Sequence, residues 1–331
     1  MDQEQIKLTL SCSPHVHSPD NTRSIMLDVV IALIPAMIGA VYFFGLRALM
    51  VMAVSVAACV IFEWLYRLLL KKDRTIGDCS AVVTGILLAL VCPATIPYWT
   101  IIIGDFFAIV VVKQLFGGIG CNFLNPALAG RAFLFSYPVI MSTWTKVGTS
   151  LSVFGSNADA VTAATPMSYL HQGMLPKDSL LDCFIGAIGG SMGETSAILL
   201  LVGLIYLLVR KIISIRIPLA FVATVAVIAF LFPQGNDRLV WTGYQVLSGG
   251  LLLGAIFMAT DYATSPVTVW GQVIYGIGCG VITMAIRYLG AYAEGVSYAI
   301  LIMNVTVFLL DKVGMPRRFG AVKTKKEAQT K

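Results

Sequence analysis

Six runs of apolar residues, at 25–45, 48–70, 98–116, 217–233, 268–286 and 295–310, limit what this chain can become. A helix needs roughly 20 apolar residues to cross a bilayer core, and backbone inside lipid must satisfy its own hydrogen bonds. Four further runs are shorter or interrupted: 79–92, 127–142, 181–209 (broken by "GGSMGETS") and 246–260. With 58% hydrophobic and only 12% charged residues among 331, and a mean hydropathy of +0.85, the chain lies outside the range of soluble domains. The expected fold is an all-α integral membrane protein with about ten transmembrane helices. The opening stretch "MDQEQIKLTLSCSPHVHSPDNTR" is polar and lacks the apolar core of a cleavable signal, so the first helix is expected to insert uncleaved.

Orientation follows from basic residues, because cytoplasmic loops retain Lys and Arg. Ten spans put both termini on one side. With Arg131 counted there, that side holds 18 of the 23 Lys and Arg residues, including "YRLLLKKDR", "RKIISIR" and the tail from Asp311. Both termini are therefore expected in the cytoplasm. The expected organisation is an N-terminal arm (1–24), a first five-helix repeat (25–142), an extracytoplasmic loop (143–180), a second five-helix repeat (181–310) and a basic cytoplasmic tail (311–331). This bias accounts for the net charge of +6 without a nucleic-acid site; anionic lipid heads or a partner subunit suit the tail better.

Seven cysteines show no CxxC pair and no metal-ligand spacing. Most sit in apolar runs and read as small buried hydrophobes. His15, His17 and His171 complete a set too sparse to predict a metal.

An internal repeat organises the rest. "GILLALVCPATIP" from Gly85 and "GLLLGAIFMATDYATSP" from Gly250 align without a gap over eleven residues, at an offset of half the chain. Five spans per half is odd, so the second half runs through the bilayer in the opposite sense, an inverted repeat. Irregular stretches cluster in both halves: "CPATIP", "FGGIGCNFLNPALAGR", "GAIGGSMGETSA", "MATDYATSP" and "YAEGVSYAILIMN". Irregular backbone at membrane depth is tolerated only where protein or a polar cavity surrounds it. Asn122, Asn125, Thr95, Thr260 and Thr264 offer donors and acceptors there without a buried charge. A planar, amide-edged molecule suits such walls, and helix packing accounts for any one of these residues equally well. Asp28, Glu63, Asp78, Asp105, Glu194, Asp261 and Glu294 lie in or at the ends of spans, where acids are costly. Glu63 is one turn from Arg67, a pairing that needs no function. Glu194, Asp261 and Glu294 fall in irregular segments and are candidates for ion or partner contacts.

"SPHVHSPDNTRSIMLDVVIALIPA", "GGIGCNFLNPALAGR", "GGSMGETSA", "MATDYATSP" and "YAEGVSYAILIMN", in this order, resemble the NqrB/RnfD family. The short N-terminal arm is closer to the RnfD subunits of the Rnf ion-pumping electron-transport complex than to the NqrB subunits of the sodium-pumping NADH:quinone reductase. Members of the family carry FMN joined by a phosphoester to a threonine in a motif Asp-x-x-[Ser/Thr]-Gly-Ala-[Thr/Ser]. Here "DAVTAAT" supplies Asp159, Thr162, Ala164 and Thr165 at matching positions, with Ala163 in place of the glycine. The resemblance makes Thr165 the attachment residue. A flavin transferase outside the cytoplasm, consuming FAD, is implied for maturation, because an unactivated hydroxyl is a poor nucleophile. An exposed loop of small residues would give such an enzyme access.

The resemblance further implies a multi-pass subunit of a bacterial or archaeal cytoplasmic membrane, not a complete enzyme. Electrons exchanged between ferredoxin and NAD(H) would reach its FMN, with partners corresponding to RnfA, RnfB, RnfC, RnfE and an RnfG-like subunit. It implies coupling of electron transfer to Na+ or H+ movement. Related proteins also hold riboflavin, for which Asn122, Asn125, Thr260 and Asp261 are expected wall residues. The competing expectation is an inverted-repeat channel or secondary transporter, which the fold alone permits and which has no use for the flavin motif. A purely structural assembly protein would instead purify without flavin.

Overall fold

Asn21 opens the first helix: its side chain accepts from the Ser24 N–H, and the Ser24 hydroxyl accepts from the Asn21 N–H. The structure, a computed structural model, describes residues 21–71, 76–149, 151–154, 163–235, 237–313 and 315. Helix α1 (Thr22–Phe44) ends at Gly45, whose φ of 74° and ψ of −166° suit only glycine and turn the chain directly into α2 (Leu46–Leu69). There follow α3 (Ser80–Leu90), α4 (Tyr98–Phe106) continuing as a π-helix over Phe107–Gln114, α5 (Pro126–Leu134) and α6 (Pro138–Met141). Next come α7 (Pro166–His171), α8 (Leu180–Ile185), α9 (Ala197–Val209), α10 (Arg216–Leu231) and α11 (Arg238–Leu247). Then α12 (Leu251–Leu253) passes into a second π-helix (Gly254–Met258) before α13 (Val269–Leu289) and α14 (Val296–Val313). No β-strand occurs among the described residues.

All ten apolar runs contain helix, but the helices are unequal. Four, α1, α2, α13 and α14, are individually long and apolar enough to cross a membrane; counting α11 with α12 and its π continuation, bent by 59°, makes five. The run at 181–209 splits into α8 and α9 around the glycine-rich stretch, and 127–142 splits into α5 and α6. Ile38, Leu69, Leu219 and Phe308 point outward from the bundle, where lipid solvates them.

The packing repeats in the two halves. α2 lies on α3 and α4, as α10 lies on α11 and α13; α1 meets α9, and α5 meets α14. The α1–α9 contact is close because Gly203 has no side chain: a Cβ there would stand 2.5 Å from the Ala32 carbonyl.

The aligned segments run in opposite senses. Ser80, at the start of α3, neighbours Lys113, and the chain leaves α3 towards Thr95, whose hydroxyl donates to the Thr143 carbonyl at 2.8 Å. Gly250 begins beside Glu294, and its segment ends at Met258, whose carbonyl accepts from Asn125 Nδ2 at 3.2 Å. α1 and α2 define the two ends of the bundle. The Gly148 N–H donates to Phe43 at the end of α1, and Arg47 at the start of α2 donates to the Ile96, Ser152 and Val153 carbonyls. Glu63, near the far end of α2, meets Lys113. These are the Thr165 end and the Lys113 end, separated by helices of 23 and 24 residues, or about 35 Å at 1.5 Å per residue.

Candidate functional site

At the Thr165 end, residues far apart in sequence enclose a cavity of about 260 Å³. Thr165 is the N-cap of α7: its Oγ1 accepts from the Ser168 N–H at 3.3 Å and shares a hydrogen bond with Ser168 Oγ at 3.0 Å. Its wall neighbours include Trp144, Phe135, Tyr292, Gly189 and Gly190. The cavity floor is charged. Arg131 from α5, 3% exposed, donates to Glu194 Oε1 at 2.8 Å and reaches Glu294 Oε2 at 3.4 Å. Glu194 also accepts from Ser191 Oγ, and Glu294 accepts from the Gly250 N–H. Arg287 of α13 stands 3.8 Å from Glu294 and donates to the carbonyl and side-chain oxygens of Gln245 at 2.6 and 3.0 Å. Two arginines and two glutamates therefore balance one another. That balance is what permits four charged groups in a buried setting, where removal of one leaves the others costly.

Arg131 lines the cavity and brings a positive charge to its wall, with its Nε enclosed by protein and out of the cavity's reach. Together with the Thr165 hydroxyl and three aromatic side chains, this gives the cavity an anchor, a positive group and flat apolar surfaces. Such a set suits a planar molecule bearing an anionic or carbonyl-rich edge. Its volume is near the lower end of the roughly 300–1,000 Å³ of small-molecule sites.

At the Lys113 end a smaller pocket, about 80 Å³, is bordered by Asn122, Asn125, Thr260, Asp261 and Lys113. The local sequence ties these residues inward. Asn125 caps α5 by accepting from the Leu128 N–H at 3.2 Å, Asn122 Nδ2 donates to the Leu124 carbonyl at 3.0 Å, and Thr260 Oγ1 donates to the Ile256 carbonyl at 2.5 Å. Asp261 accepts from Thr264 Oγ1 at 3.1 Å. Both π-helices end at this pocket, through Lys113 on one and through the turn to Thr260 on the other.

The structure thus brings Asn122, Asn125, Thr260 and Asp261 to one wall and places Thr165 in another. Asp159 and Thr162 lie outside the described residues, and so do His15 and His17. Ala164 is exposed, whereas Thr165 is only 9% exposed, so the expectation of an open, solvent-facing attachment residue is corrected: access to its hydroxyl is by way of the cavity. Ala163 does not take a positive φ, so this position has no backbone need for glycine. Arg131 is not a loop charge. It is an interior counterion of Glu194 and Glu294, and it does not belong in the count that orients the chain. Glu63, read as a partner of Arg67, is closer to Lys113 (2.8 Å) than to Arg67 (4.0 Å). Sequence reasoning missed Arg131, Arg287 and Lys113 as interior groups; the signal was the presence of buried acids, each of which demands a cation.

Comparison with known proteins places this architecture. A profile described as the NQR2, RnfD, RnfE family matches residues 9–320. The chain is 48% identical over 330 residues to the D subunit of the Na(+)-translocating ferredoxin:NAD(+) oxidoreductase complex of Acetobacterium woodii, covering 98% of this chain and 99% of that one. It is 40% identical over 340 residues to the D subunit of the proton-translocating ferredoxin:NAD(+) oxidoreductase complex of Clostridium ljungdahlii, covering 97% and 99%. To the D subunit of the ion-translocating oxidoreductase complex of Stutzerimonas stutzeri it is 38% identical over 323 residues, covering 89% and 91%. The chain belongs to the NQR2, RnfD, RnfE family.

Proposed function

We propose that this chain is the D subunit of an ion-translocating ferredoxin:NAD oxidoreductase complex and carries electrons through FMN esterified to Thr165. The observation that carries this reading is the location of Thr165, in the wall of a cavity that Arg131 and three aromatic side chains also line. Full-length similarity to D subunits named for Na(+) and for proton translocation supports the complex and its partner subunits. The basic residues orient the Thr165 end away from the cytoplasm even with Arg131 set aside.

Attachment forms a bond between Thr165 Oγ1 and the flavin phosphorus of FAD and breaks the pyrophosphate P–O bond. AMP leaves, and the hydroxyl proton passes to a base on the transferase. Ser168 is suited to the product as well as to the free residue: once the Thr165 oxygen has lost its hydrogen, Ser168 Oγ and N–H still donate to it. Bound FMN supplies one- and two-electron transfer through its ring system. The chain's own residues hold and tune. Arg131 offers positive charge to a phosphate or to the ring's carbonyl edge, Trp144, Phe135 and Tyr292 offer apolar faces, and Glu194 and Glu294 fix the guanidinium. Riboflavin, where bound, would lie against Asn122, Asn125, Thr260 and Asp261 in the Lys113 pocket.

Thr165→Val tests the assignment. Expressed with an active flavin transferase and run on a denaturing gel, the native chain is expected to fluoresce as a flavoprotein and the variant to be dark while still inserting in the membrane. A variant band as bright as the native one overturns the site.

A further inference from the structure

α2 carries Ser55, Cys59, Glu63 and Arg67 at four-residue intervals, so all four share one helix face. All four are buried, and the first three are at most 1% exposed. Facing them, α4 and its π continuation contribute Asp105 and Lys113. Near the Lys113 end the charged groups are linked: Lys113 Nζ donates to Glu63 Oε2 at 2.8 Å and to Ser80 Oγ at 2.6 Å, and Ser80 Oγ donates to Asp78 Oδ1 at 2.6 Å. Asp78 is half-buried and connects this cluster to the surface.

Two turns deeper, Asp105 is different. It is 0% exposed; its Oδ1 accepts from Ser55 Oγ at 2.7 Å and from Cys59 Sγ at 3.2 Å, and its Oδ2 is buried with no hydrogen-bond partner. The groups that face it from neighbouring elements are few. α2 provides Ser55, Cys59 and, one turn on, Glu63; α3 provides the Gly85 carbonyl, 2.9 Å from Ser55 Oγ, and the turn after it the Cys92 thiol. Lys113 is engaged by Glu63, and Arg131 by Glu194 and Glu294; among the described residues no cation forms an ion pair with Asp105. An ionised carboxylate in this position would give up its hydration for one hydroxyl and one thiol, far less than it loses. A hard cation needs a shell of oxygens. Here the available oxygens are the carboxylate, Ser55 Oγ and the Gly85 carbonyl, with a sulfur in the remaining direction, which is too few.

We propose that Asp105 is a proton-binding site at membrane depth, loaded from the Lys113 end along the polar face of α2. The neutral acid solves the local problem: a proton on Oδ1 donates to Ser55 Oγ, whose single hydrogen then goes to the Gly85 carbonyl, and Oδ2 is left as an uncharged carbonyl oxygen. Loading takes a proton from water at the Lys113 end and unloading returns one, with no redox change in the protein. The π-helix that begins two residues after Asp105 widens the backbone here, a distortion that recurs at functional sites. The proposal is independent of flavin on Thr165.

Infrared spectroscopy of the full chain in lipid nanodiscs tests it. Near neutral pH the native protein is expected to show a carboxylic-acid C=O stretch that shifts in D2O and is lost in Asp105→Asn, a substitution that retains the shape of the neutral acid. Ser55→Ala, which removes one hydrogen bond to Oδ1, is expected to shift that band without abolishing it and so carries the assignment if the Asn variant fails to accumulate. Glu63→Gln is expected to slow the D2O shift of the same band. Loss of carboxylate intensity instead of an acid band in Asp105→Asn overturns the proposal, as does conversion of the acid band to carboxylate on adding sodium at fixed pH. An unchanged exchange rate in Glu63→Gln overturns the route.

Discussion

The cavity beside Thr165 and the pocket beside Lys113 both form where helices break, yet their walls are gathered in different ways. The Thr165 cavity draws on α5, the turn after α6, the start of α7, the glycine-rich stretch before α9 and the turn before α14. Its interior charges, Arg131, Arg287, Glu194 and Glu294, oppose collapse because each holds its neighbours at fixed distance. The Lys113 pocket is bordered chiefly by two loops whose amides and hydroxyls bond to nearby backbone, and Asn125 ties one loop to the end of the second π-helix. Balanced buried charge leaves the larger space, about 260 Å³ against 80 Å³. Short-range amide bonding closes the smaller one.

Substitutions at the two ends should therefore separate cleanly. The largest effect is expected for Arg131→Ala, which leaves the buried Glu194 without its cation and the half-buried Glu294 with only Arg287; a loss of about 3–5 kcal/mol is typical of breaking a buried pair. Thermal unfolding of the detergent-solubilised chain measures it, and Glu194→Gln added to that variant should recover part of the loss. An Arg131→Ala protein as stable as the native one would show that the ion pairs do not hold the cavity. Asn125→Ala is expected to cost about 1–2 kcal/mol, since it removes a helix cap and a buried bond to Met258, with covalent flavin unchanged. Reduced flavin content in that variant would show the two ends to be coupled. Thr165→Val should cost about 1 kcal/mol through the lost α7 cap, well below the Arg131 effect. The smallest change is expected for Ala163→Gly, at most about 1 kcal/mol from added backbone freedom in the unfolded chain. Flavin attachment should persist in it, measured by in-gel fluorescence, because Ala163 already holds an ordinary backbone conformation.

Much of this architecture was legible in the residues alone. Apolar runs marked the helices because helix is the way a single segment satisfies its backbone in lipid. Asn122, Asn125, Thr260 and Asp261 were expected as wall residues through the family resemblance; their own sequence shows only donors and acceptors in irregular stretches. Thr165 came from family resemblance alone; Thr-Ala-Ala-Thr in isolation says nothing about flavin. What the chain did not disclose is pairing across distance. Nothing near Arg131 announces Glu194, 63 residues later, as its partner, so a lone arginine near a helix start reads as a loop charge. The burial of Thr165 was hidden for the same reason, since its cover comes from other segments. Helix length was also hard to read. Apolarity continues through the break between α5 and α6, where only Pro138 marks the turn.

Peptide mass spectrometry of the 147–177 region, from chain co-expressed with an active flavin transferase, tests the central claim most directly. The account predicts an added FMN mass, as a phosphoester, on Thr165 and on no other residue of that peptide. An unmodified peptide, with the transferase shown active on a control substrate, or an adduct on a different residue, would contradict it.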